Sequence, residues 1–346
     1  MPRPKAGRPS GPPLRRLGEV GLIARLARFC PTASPRLQLG IGDDAAIVAL
    51  SPRRQLLVTT DLLVETVDFD RRVWSFAKLG EKALAVNLSD VAAMGGRPSV
   101  FFVGLSLPPR AAVREVDALY RGLGRAARQY GVALGGGDLS AAPVWSIAIT
   151  LLGEIERGAA LTRSGAKVGD WLCVTGTLGD SGAGLDLLRA PHTARGAAIR
   201  GRRFLIDRHQ RPTPRVACGQ LLAGRRLATA AIDLSDGLAS DLRRVCEASG
   251  VGAEVDLRAL PLSPALKAYA AAVGRDPLEY ALTSGEDFEL LFAVPPARLN
   301  RVLGLSTAEL PITPIGRVLS RRAGLRAIDI AGRRRPLRER GYDHFR

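Results

Sequence analysis

Carboxylates next to glycines recur along this chain, most of them where an apolar run ends. Seven acidic clusters contain the sequences G-I-G-D-D-A-A (40–46), T-T-D (59–61), N-L-S-D (87–90), G-G-G-D (135–138), D-L-S-D-G-L (233–238), S-G-E-D (284–287) and G-Y-D-H-F (341–345). Hard cations such as Mg²⁺ take oxygen ligands, and glycine turns let a backbone approach phosphate closely. In a chain with a net charge of +17, this clustering favours a site for metal ions and a nucleotide.

Two of the clusters in the first half allow two interpretations each. The adjacent carboxylates Asp43 and Asp44 precede a predicted strand, so they belong either to a hairpin turn or to a metal site that offsets their repulsion. Asp61 follows the apolar residues 56–58 at a strand end, a position typical of metal ligands and also of helix N-caps. Their repetition along the chain favours metal binding.

The cluster at 87–90 is more informative, because it lies on a predicted helix over residues 77–94. Asn87 and Asp90 are three residues apart and share a helix face. The helix is apolar almost all round, which predicts that it is buried. A buried aspartate must be paired, hydrogen-bonded or bound to metal.

The remaining motifs are weaker when taken alone. Gly135, Gly136 and Gly137 before Asp138 could present backbone N–H groups to a phosphate, but glycine turns are common and no G-K-[ST] follows. Residues 233–238 mark a strand-to-helix junction with one acid more than a helix cap requires. Glu286 and Asp287 lie between a glycine turn and a predicted strand.

Histidine is scarce, and this limits the possible chemistry. Of the three histidines, only His344 lies in an acidic cluster. A Ser-His-Asp or Cys-His nucleophile system is therefore not indicated. Phosphoryl transfer needs no histidine, since positioning and charge neutralisation supply most of its catalysis.

Composition favours two α/β domains. The chain has 346 residues, 46% hydrophobic, with 38 glycines and 5% aromatics. No apolar run approaches the roughly 20 residues of a membrane helix, and the basic start lacks a signal core. Cys173 and Cys246 lie in apolar segments and are predicted to be buried thiols. A cytoplasmic protein is the expectation.

The basic charge is not by itself a nucleic-acid signal. Arginine clusters occur at 200–203 and 333–340, but neither aromatic residues nor a recognisable binding motif accompany them. We therefore expect a solvated basic surface, no nucleic-acid partner and some attraction for anionic substrates.

Periodicity predicts the organisation of the chain. We expect a disordered basic tail at 1–16, a metal- and ATP-binding domain at 17–155, a linker at 156–170 and a second domain at 171–346. Predicted helices cover 17–29, 77–94, 111–130, 182–189, 214–223 and 238–249. Predicted strands cover 45–50, 55–60, 99–107, 145–153, 171–175, 229–234, 253–257, 289–294 and 312–318. A cleft between the two domains is the default ligand site.

The ordered series of motifs resembles the thiamine-phosphate kinase family, in the superfamily of aminoimidazole ribonucleotide synthetase and selenophosphate synthetase. The similarity runs from about residue 18 to residue 345. Beyond the seven clusters it includes A-L-A-V-N-L-S-D-V-A-A-M-G (83–95), L-T-R-S-G-A (161–166) and R-P-T-P-R-V (211–216). G-D-D alone would be unspecific, whereas the ordered series is specific.

The resemblance implies an α/β (α+β) two-domain architecture of the aminoimidazole ribonucleotide synthetase type. It further implies a homodimer formed by the N-terminal sheets, and a C-terminal domain that closes over the nucleotide. The implied activity is ATP- and Mg²⁺-dependent conversion of thiamine monophosphate to thiamine diphosphate.

The resemblance also assigns roles residue by residue. The implied Mg²⁺ ligands are Asp44, Thr59, Thr60, Asp61, Asp90, Asp138, Asp233 and Asp236. The implied ATP contacts are Gly137, Asp138, Arg163 and Ser235. Asp68, Glu286 and Tyr342 are the implied contacts to the acceptor, and Asp61, Asp90, Asp138 and Arg163 the implied catalytic residues.

Two alternatives remain open at the sequence level. The chain reads V-E-T-V-D-F at 64–69 where the family has V-E-G-V-H-F, so Thr66 and Asp68 leave the acceptor open and allow another ATP-dependent enzyme of the superfamily. A non-catalytic nucleotide- or nucleic-acid-binding protein is the alternative that the net charge suggests.

Overall fold

The computed structural model describes residues 37–39, 43–50, 52–189 and 200–337. Several predictions fall outside these described residues: the tail at 1–16, the helix at 17–29, and the terminal motif with Tyr342 and His344. Cys30 and His192 also lie outside them.

The first half of the described chain forms a mixed sheet. Its strands are β1 (Leu37–Leu39), β2 (Ala46–Ala49), β3 (Arg54–Val64), β4 (Arg97–Leu107), β5 (Ala133–Ala141) and β6 (Ser146–Glu156). Their order in the sheet is β1-β2-β3-β6-β4-β5. Neighbours are antiparallel except β4 and β5, which are parallel.

Two long helices, α1 (Phe76–Ala93) and α2 (Val113–Tyr130), accompany this sheet. The side chain of Ser75 accepts a hydrogen bond from the Lys78 N–H and caps α1, which is buried almost throughout, as the sequence predicts. In β3, buried and more exposed residues alternate, as expected for a strand with one covered face. The second face exposes Leu62 (57%) and Phe102 (38%). We call this second face the open face.

The second half forms another sheet. Its strands are β7 (Trp171–Thr175), β8 (Ala230–Asp233), β9 (Gly252–Asp256), β10 (Leu290–Val294), β11 (Ile312–Leu319), β12 (Leu325–Ile328) and β13 (Arg334–Pro336). Their order is β13-β12-β9-β11-β7-β10-β8, antiparallel except for the parallel pair β9 and β12.

Helices of this half are α3 (Asp180–Arg189), α4 (Arg202–Gln210), α5 (Val216–Gly224), α6 (Leu238–Ser249), α7 (Pro264–Val273), α8 (Pro277–Thr283) and α9 (Leu299–Leu303), with short 3-10 turns at Leu257–Ala259, Pro296–Arg298 and Arg321–Ala323. Because Leu84 and Leu88 of α1 share one hydrophobic cluster with Leu222 and Phe292, the two halves are joined by a common core. Cys173 and Cys246 are buried free thiols, as predicted. Among the described helices, none combines the length and the apolarity required to cross a membrane.

One predicted element is wrong. The glycine triplet at 135–137 is not a turn but part of the edge strand β5, whose residues are all exposed. A β-carbon on Gly137 would lie 2.1 Å from the Val103 carbonyl oxygen of β4, so close strand packing explains the glycine there.

Candidate active site

Three carboxylates from different elements meet where the halves join. Asp44 precedes β2, Asp90 lies near the end of α1, and Asp233 is the last residue of β8. Each has a carboxylate oxygen within 4.8 Å of the others. Three of the eight predicted metal ligands are therefore brought together, and we call them the aspartate triad.

The electrostatics of the triad are unfavourable without a cation. Burial, followed by the charges of neighbouring aspartates, raises the pKa of Asp90 well above its usual value. Burial and the charge of Asp44 likewise raise the pKa of Asp233. Asp61 lies beside Asp90, and burial raises its pKa also. Groups of like charge held this closely favour a bound cation or protonation.

Neighbouring side chains orient the triad. Thr59 donates its hydroxyl hydrogen to Asp90 Oδ2, and Ser89 donates to Asp233 Oδ2 at 2.7 Å. The guanidinium of Arg163 donates to Asp44 Oδ1 at 2.8 Å. Asp43 accepts from the Asp44 and Arg163 backbone N–H groups, so it shapes the loop and is not a triad member.

The loop after β8 holds two more of the predicted residues, Ser235 and Asp236. Asp236 pairs with Arg244 and not with the triad, and its N–H donates to Asp241 Oδ2 at 3.1 Å. Burial, then the charge of Asp236, raises the pKa of Asp241 to about 8. Ser235 lies between Asp233 and Asp236, and its carbonyl accepts from the Glu286 N–H at 2.8 Å.

Glu286 belongs to a second cluster, next to that loop. Its carboxylate lies 2.7 Å from Lys82 Nζ and 3.3 Å from His209 Nδ1. The Lys82 ammonium lies 5.1 Å from the centre of the Trp74 ring, and the Trp74 and His209 rings are 5.4 Å apart. Burial raises the pKa of Glu286, but the charge of Lys82 outweighs it, so that this pKa is lowered.

Sequence reasoning missed Lys82, His209, Arg244 and Asp241. A signal existed for Lys82, since it is a lysine inside a helix predicted to be apolar all round. Such a buried cation requires a partner. The identity of that partner could not be obtained from local pattern, because Glu286 lies far away in sequence.

Besides Asp236, three predicted residues are not brought to the triad. Thr60 is exposed, and its hydroxyl lies 3.1 Å from that of Thr150. Asp138 pairs in register with Gly104, Gly104 with Ala148, and Ala148 with Leu62. Three strand spacings place Asp138 roughly 14 Å from β3. Gly137 lies beside Asp138 in the exposed strand β5.

Thr66 and Asp68, where the sequence differs from the family pattern, belong to one turn. Thr66 has a φ of 73°, a left-handed conformation that favours glycine. Asp68 accepts a hydrogen bond from the Val64 N–H at 2.8 Å, so it supports the same turn. Tyr342, the third predicted acceptor contact, lies outside the described residues.

The donor set fits Mg²⁺. Its members are hard oxygen ligands, and Asp44 Oδ2 and Asp61 Oδ2 are buried with no hydrogen-bond partner among the described residues. Positive charge is available beside them from Arg163, whose own pKa is raised because the charge of Asp44 outweighs its burial. The arrangement can bind metal and polyphosphate at one end and present Glu286 at the other.

Comparisons with known proteins identify the family of this chain. Residues 42–155 match the family model of the AIR synthase related protein N-terminal domain, and residues 167–327 match that of its C-terminal domain. Thiamine-monophosphate kinase of Escherichia coli O157:H7 is 42% identical over 333 residues, covering 95% of this chain and 98% of that protein. The Bacillus subtilis enzyme of the same name is 38% identical, covering 90% of this chain and 94% of that protein. This chain belongs to the thiamine-monophosphate kinase family.

Solved structures extend the similarity to three dimensions. A structure described as AaThiL complexed with AMPPCP and TMP has a TM-score of 0.83 and 36% identity, covering 97% of this chain and 100% of that one. Thiamine monophosphate kinase from Aquifex aeolicus gives a TM-score of 0.77 at 35% identity, covering 93% and 99%. A HypE–HypF complex, at 19% identity and a TM-score of 0.71 with coverage of 92% and 99%, shares the fold. The predicted family and α/β fold are confirmed.

Proposed function

We propose that this protein is a kinase that transfers the γ-phosphoryl group of ATP to thiamine monophosphate and forms thiamine diphosphate. The observation that supports this most strongly is the aspartate triad, a largely buried oxygen-ligand site, in a chain 42% identical to a thiamine-monophosphate kinase. The AaThiL complex with AMPPCP and TMP shows that a protein of this fold binds both molecules together.

Asp44, Asp90 and Asp233 would hold Mg²⁺, with Asp61 and Thr59 beside them. Mg²⁺ bound there supplies positive charge that offsets the repulsion between donor and acceptor phosphates. Asp236 is the further proposed ligand. It would have to exchange its pairing with Arg244 for the metal, because the structure shows it turned towards that guanidinium.

The proposed reaction is a direct in-line transfer. An oxygen of the acceptor phosphate attacks the γ-phosphorus, the bond to the bridging oxygen breaks, and the electron pair leaves with ADP. The second pKa of a phosphate monoester is about 6, so the acceptor is largely ionised at neutral pH and needs no general base. The triad consists of three aspartates and includes no histidine, which suits a mechanism without a general base.

Arg163 and Ser235 are the proposed ATP contacts on this chain. Arg163 lies within the proposed linker at 156–170, is mostly buried and pairs with Asp44, which would place its fixed charge beside the donor phosphates. Such preorganised charge lowers the barrier because it requires no rearrangement at the moment of transfer.

Glu286 is the proposed contact at the acceptor end, together with Asp68 and Tyr342. The Glu286 side chain is 32% exposed, so ligand can reach it. A carboxylate held ionised there would attract the cationic thiazolium or accept from the pyrimidine amine. Asp68 is already engaged by the turn at Val64, which makes Glu286 the stronger of the two candidates.

We further propose a homodimer formed through the open face. This face exposes Leu62 and Phe102, and the edge strand β5 is exposed throughout. A second copy that packs there would cover both. It would also bring Gly137 and Asp138 to the triad of the other copy, which gives these two predicted residues a place in the site that a single chain does not provide.

We also propose a cytoplasmic location and a division of the chain into domains at 17–155 and 171–346 with a linker at 156–170.

The direct test of function is product analysis. Purified protein with ATP and Mg²⁺ is offered thiamine monophosphate and, separately, other phosphorylated acceptors. We expect thiamine diphosphate as the main product. Turnover only with another acceptor would assign a sister activity, and salt-sensitive nucleic-acid binding without ATP turnover would exclude a kinase.

A further inference from the structure

Lys82 is a buried cation in the middle of α1. Its side chain is 2% exposed, in a helix whose neighbouring positions are almost all apolar. Burying an ammonium group is costly unless it is paired, so its surroundings must compensate. The compensation comes from the second half of the chain, through Glu286 Oε1 at 2.7 Å. The face of Trp74, 5.1 Å away, adds a cation–π contact.

His209 completes the surroundings of the Glu286 carboxylate. Its Nδ1 lies 3.3 Å from Glu286 Oε2 and 3.0 Å from Ser181 Oγ. Burial, with the charge of Lys82 next, lowers the pKa of His209 to about 3, so the ring is neutral at neutral pH. Among the residues that the structure describes, Lys82 is therefore the full positive charge in direct contact with Glu286.

The backbone also brings Glu286 to a defined place. Glu286 has a φ of 66°, an uncommon conformation for a residue with a side chain. Its N–H donates to the Ser235 carbonyl, and a β-carbon on Gly285 would lie 2.2 Å from that oxygen. The loop thus holds the backbone of Glu286 next to the residues that follow Asp233. The ion pair with Lys82 then fixes the Glu286 side chain.

We propose that Lys82 is a positioning residue for the acceptor: it holds the Glu286 carboxylate at the end of the site opposite the aspartate triad. Lys82 and Asp90 are eight residues apart on one helix, a rise of about 12 Å. One rigid helix therefore sets the distance between the metal end and the Glu286 end. The group recognised there is a cationic or N–H-donating part of the acceptor, remote from its phosphate. This inference depends on the proposed role of Glu286 in acceptor binding.

A purely structural ion pair is the competing explanation. Lys82 and Glu286 join the two halves of the chain. If the pair is purely structural, breaking it loosens the packing of the two halves and has no other effect. Such loosening would weaken ATP and acceptor binding together and lower the melting temperature. A positioning role instead predicts a selective effect on the acceptor, and it predicts that the effect requires Glu286.

The test is a double-mutant cycle in the full-length protein. Lys82→Met, Glu286→Gln and the double variant are compared with wild type for the KM of thiamine monophosphate, the KM of ATP, kcat and the melting temperature. Lys78→Met is the matched control. Lys78 lies one turn earlier on α1, is 33% exposed and pairs with Asp207 and Gln210, so its loss should leave both KM values unchanged.

We expect Lys82→Met to raise the acceptor KM about tenfold or more, with the KM of ATP within about twofold of wild type. In the Glu286→Gln background, Lys82→Met should add no further rise. If Lys82→Met does not fold, Lys82→Gln, which keeps the length and a donor without the charge, replaces it in the same cycle.

Three results would overturn the inference. These are an unchanged acceptor KM in a folded Lys82 variant, an equal rise of both KM values, or additive losses in the double variant. Wild type serves as the reference for the proposed function in the same assay. If wild type forms no thiamine diphosphate, the proposed function fails and the role of Lys82 fails with it. If wild type is active and the variants behave normally, the role of Lys82 alone is wrong.

Discussion

Carboxylate oxygens of Asp90 and Asp233 lie within 4.8 Å of each other, although Asp90 lies on α1 beside the first sheet and Asp233 ends β8 in the second. The neighbour of Asp90 on the helix, Ser89, donates directly to Asp233 at 2.7 Å. The proposed metal site therefore exists only when the two halves are packed together. Metal binding and the packing of the halves should stabilise each other for this reason.

The variant Asp90→Asn shows separately how the triad affects the stability of the protein and how it contributes to activity. Without metal at neutral pH, we expect this variant to be about 1–3 kcal/mol more stable than wild type, because it removes one of several buried like charges. Its kcat should fall by about 10²–10³, since a well-placed electrostatic group is lost. Thermal unfolding with EDTA or with Mg²⁺, and steady-state kinetics, measure the two effects.

Asp61→Asn should lose activity to a similar extent. Near-normal turnover in either variant would show that the residue is not a ligand.

Thr66→Gly should stabilise the protein. Thr66 has a φ of 73°, and this conformation costs a residue with a β-carbon about 1–2 kcal/mol. The greater freedom of glycine in the unfolded chain offsets part of the gain. We expect a net gain of about 1 kcal/mol, or about 2 °C in melting temperature. Thr66→Ala keeps the β-carbon and is the control. A glycine variant that is less stable than the alanine variant would contradict the prediction.

His209 should make the protein sensitive to acid. Its pKa is lowered by burial from 6.5 to about 3, so between these values the unfolded state binds more protons than the folded state. The contribution of His209 to stability is therefore present above pH 6.5 and is lost as the pH falls towards 3. The slope approaches about 1.4 kcal/mol per pH unit.

Other groups also titrate in this range, so the measurement is the difference in unfolding free energy between wild type and His209→Gln. The contributions of these other groups are present in wild type and in the variant, so they cancel in the difference. Urea unfolding at several pH values should show wild type losing stability relative to the variant as the pH falls from 6.5. A constant difference over this range would mean that His209 is not held neutral.

Mixed dimers test whether two copies share a site. If Asp138 acts on the triad of the other copy, a heterodimer of one Asp90→Asn chain and one Asp138→Asn chain contains one intact site. We expect purified heterodimers to have about half of the wild-type activity. The activity of either mutant homodimer should be about 10²–10³-fold below that of wild type. If Asp138 serves its own chain, both sites of the heterodimer are defective and no recovery occurs.

How far the sequence determines this site differs from residue to residue. Asp90 was predictable because helical periodicity showed a buried helix, and a buried carboxylate needs a partner. The bounds of α6, Leu238–Ser249, coincide with the prediction. The glycine triplet before Asp138 was misassigned because glycines have no side-chain pattern, so only the pairing with β4 shows that they form a strand.

Contacts between residues far apart in the sequence are the other limit on prediction of the site. Lys82 is conspicuous within its helix, but Glu286 and His209 reach it only through the packing of the two halves. Asp236 was expected to join the triad and instead pairs with Arg244, since a local pattern shows which residues could be ligands but not which neighbour each one faces.

Direct phosphoryl transfer to thiamine monophosphate is tested by following the γ-phosphoryl group. The protein is incubated with γ-³²P-labelled ATP, Mg²⁺ and thiamine monophosphate, and the products are separated. We predict that the label appears in the terminal phosphate of thiamine diphosphate, with one ADP formed for each molecule. Release of the label as inorganic phosphate, or ATP turnover without labelled thiamine diphosphate, would contradict direct transfer to this acceptor.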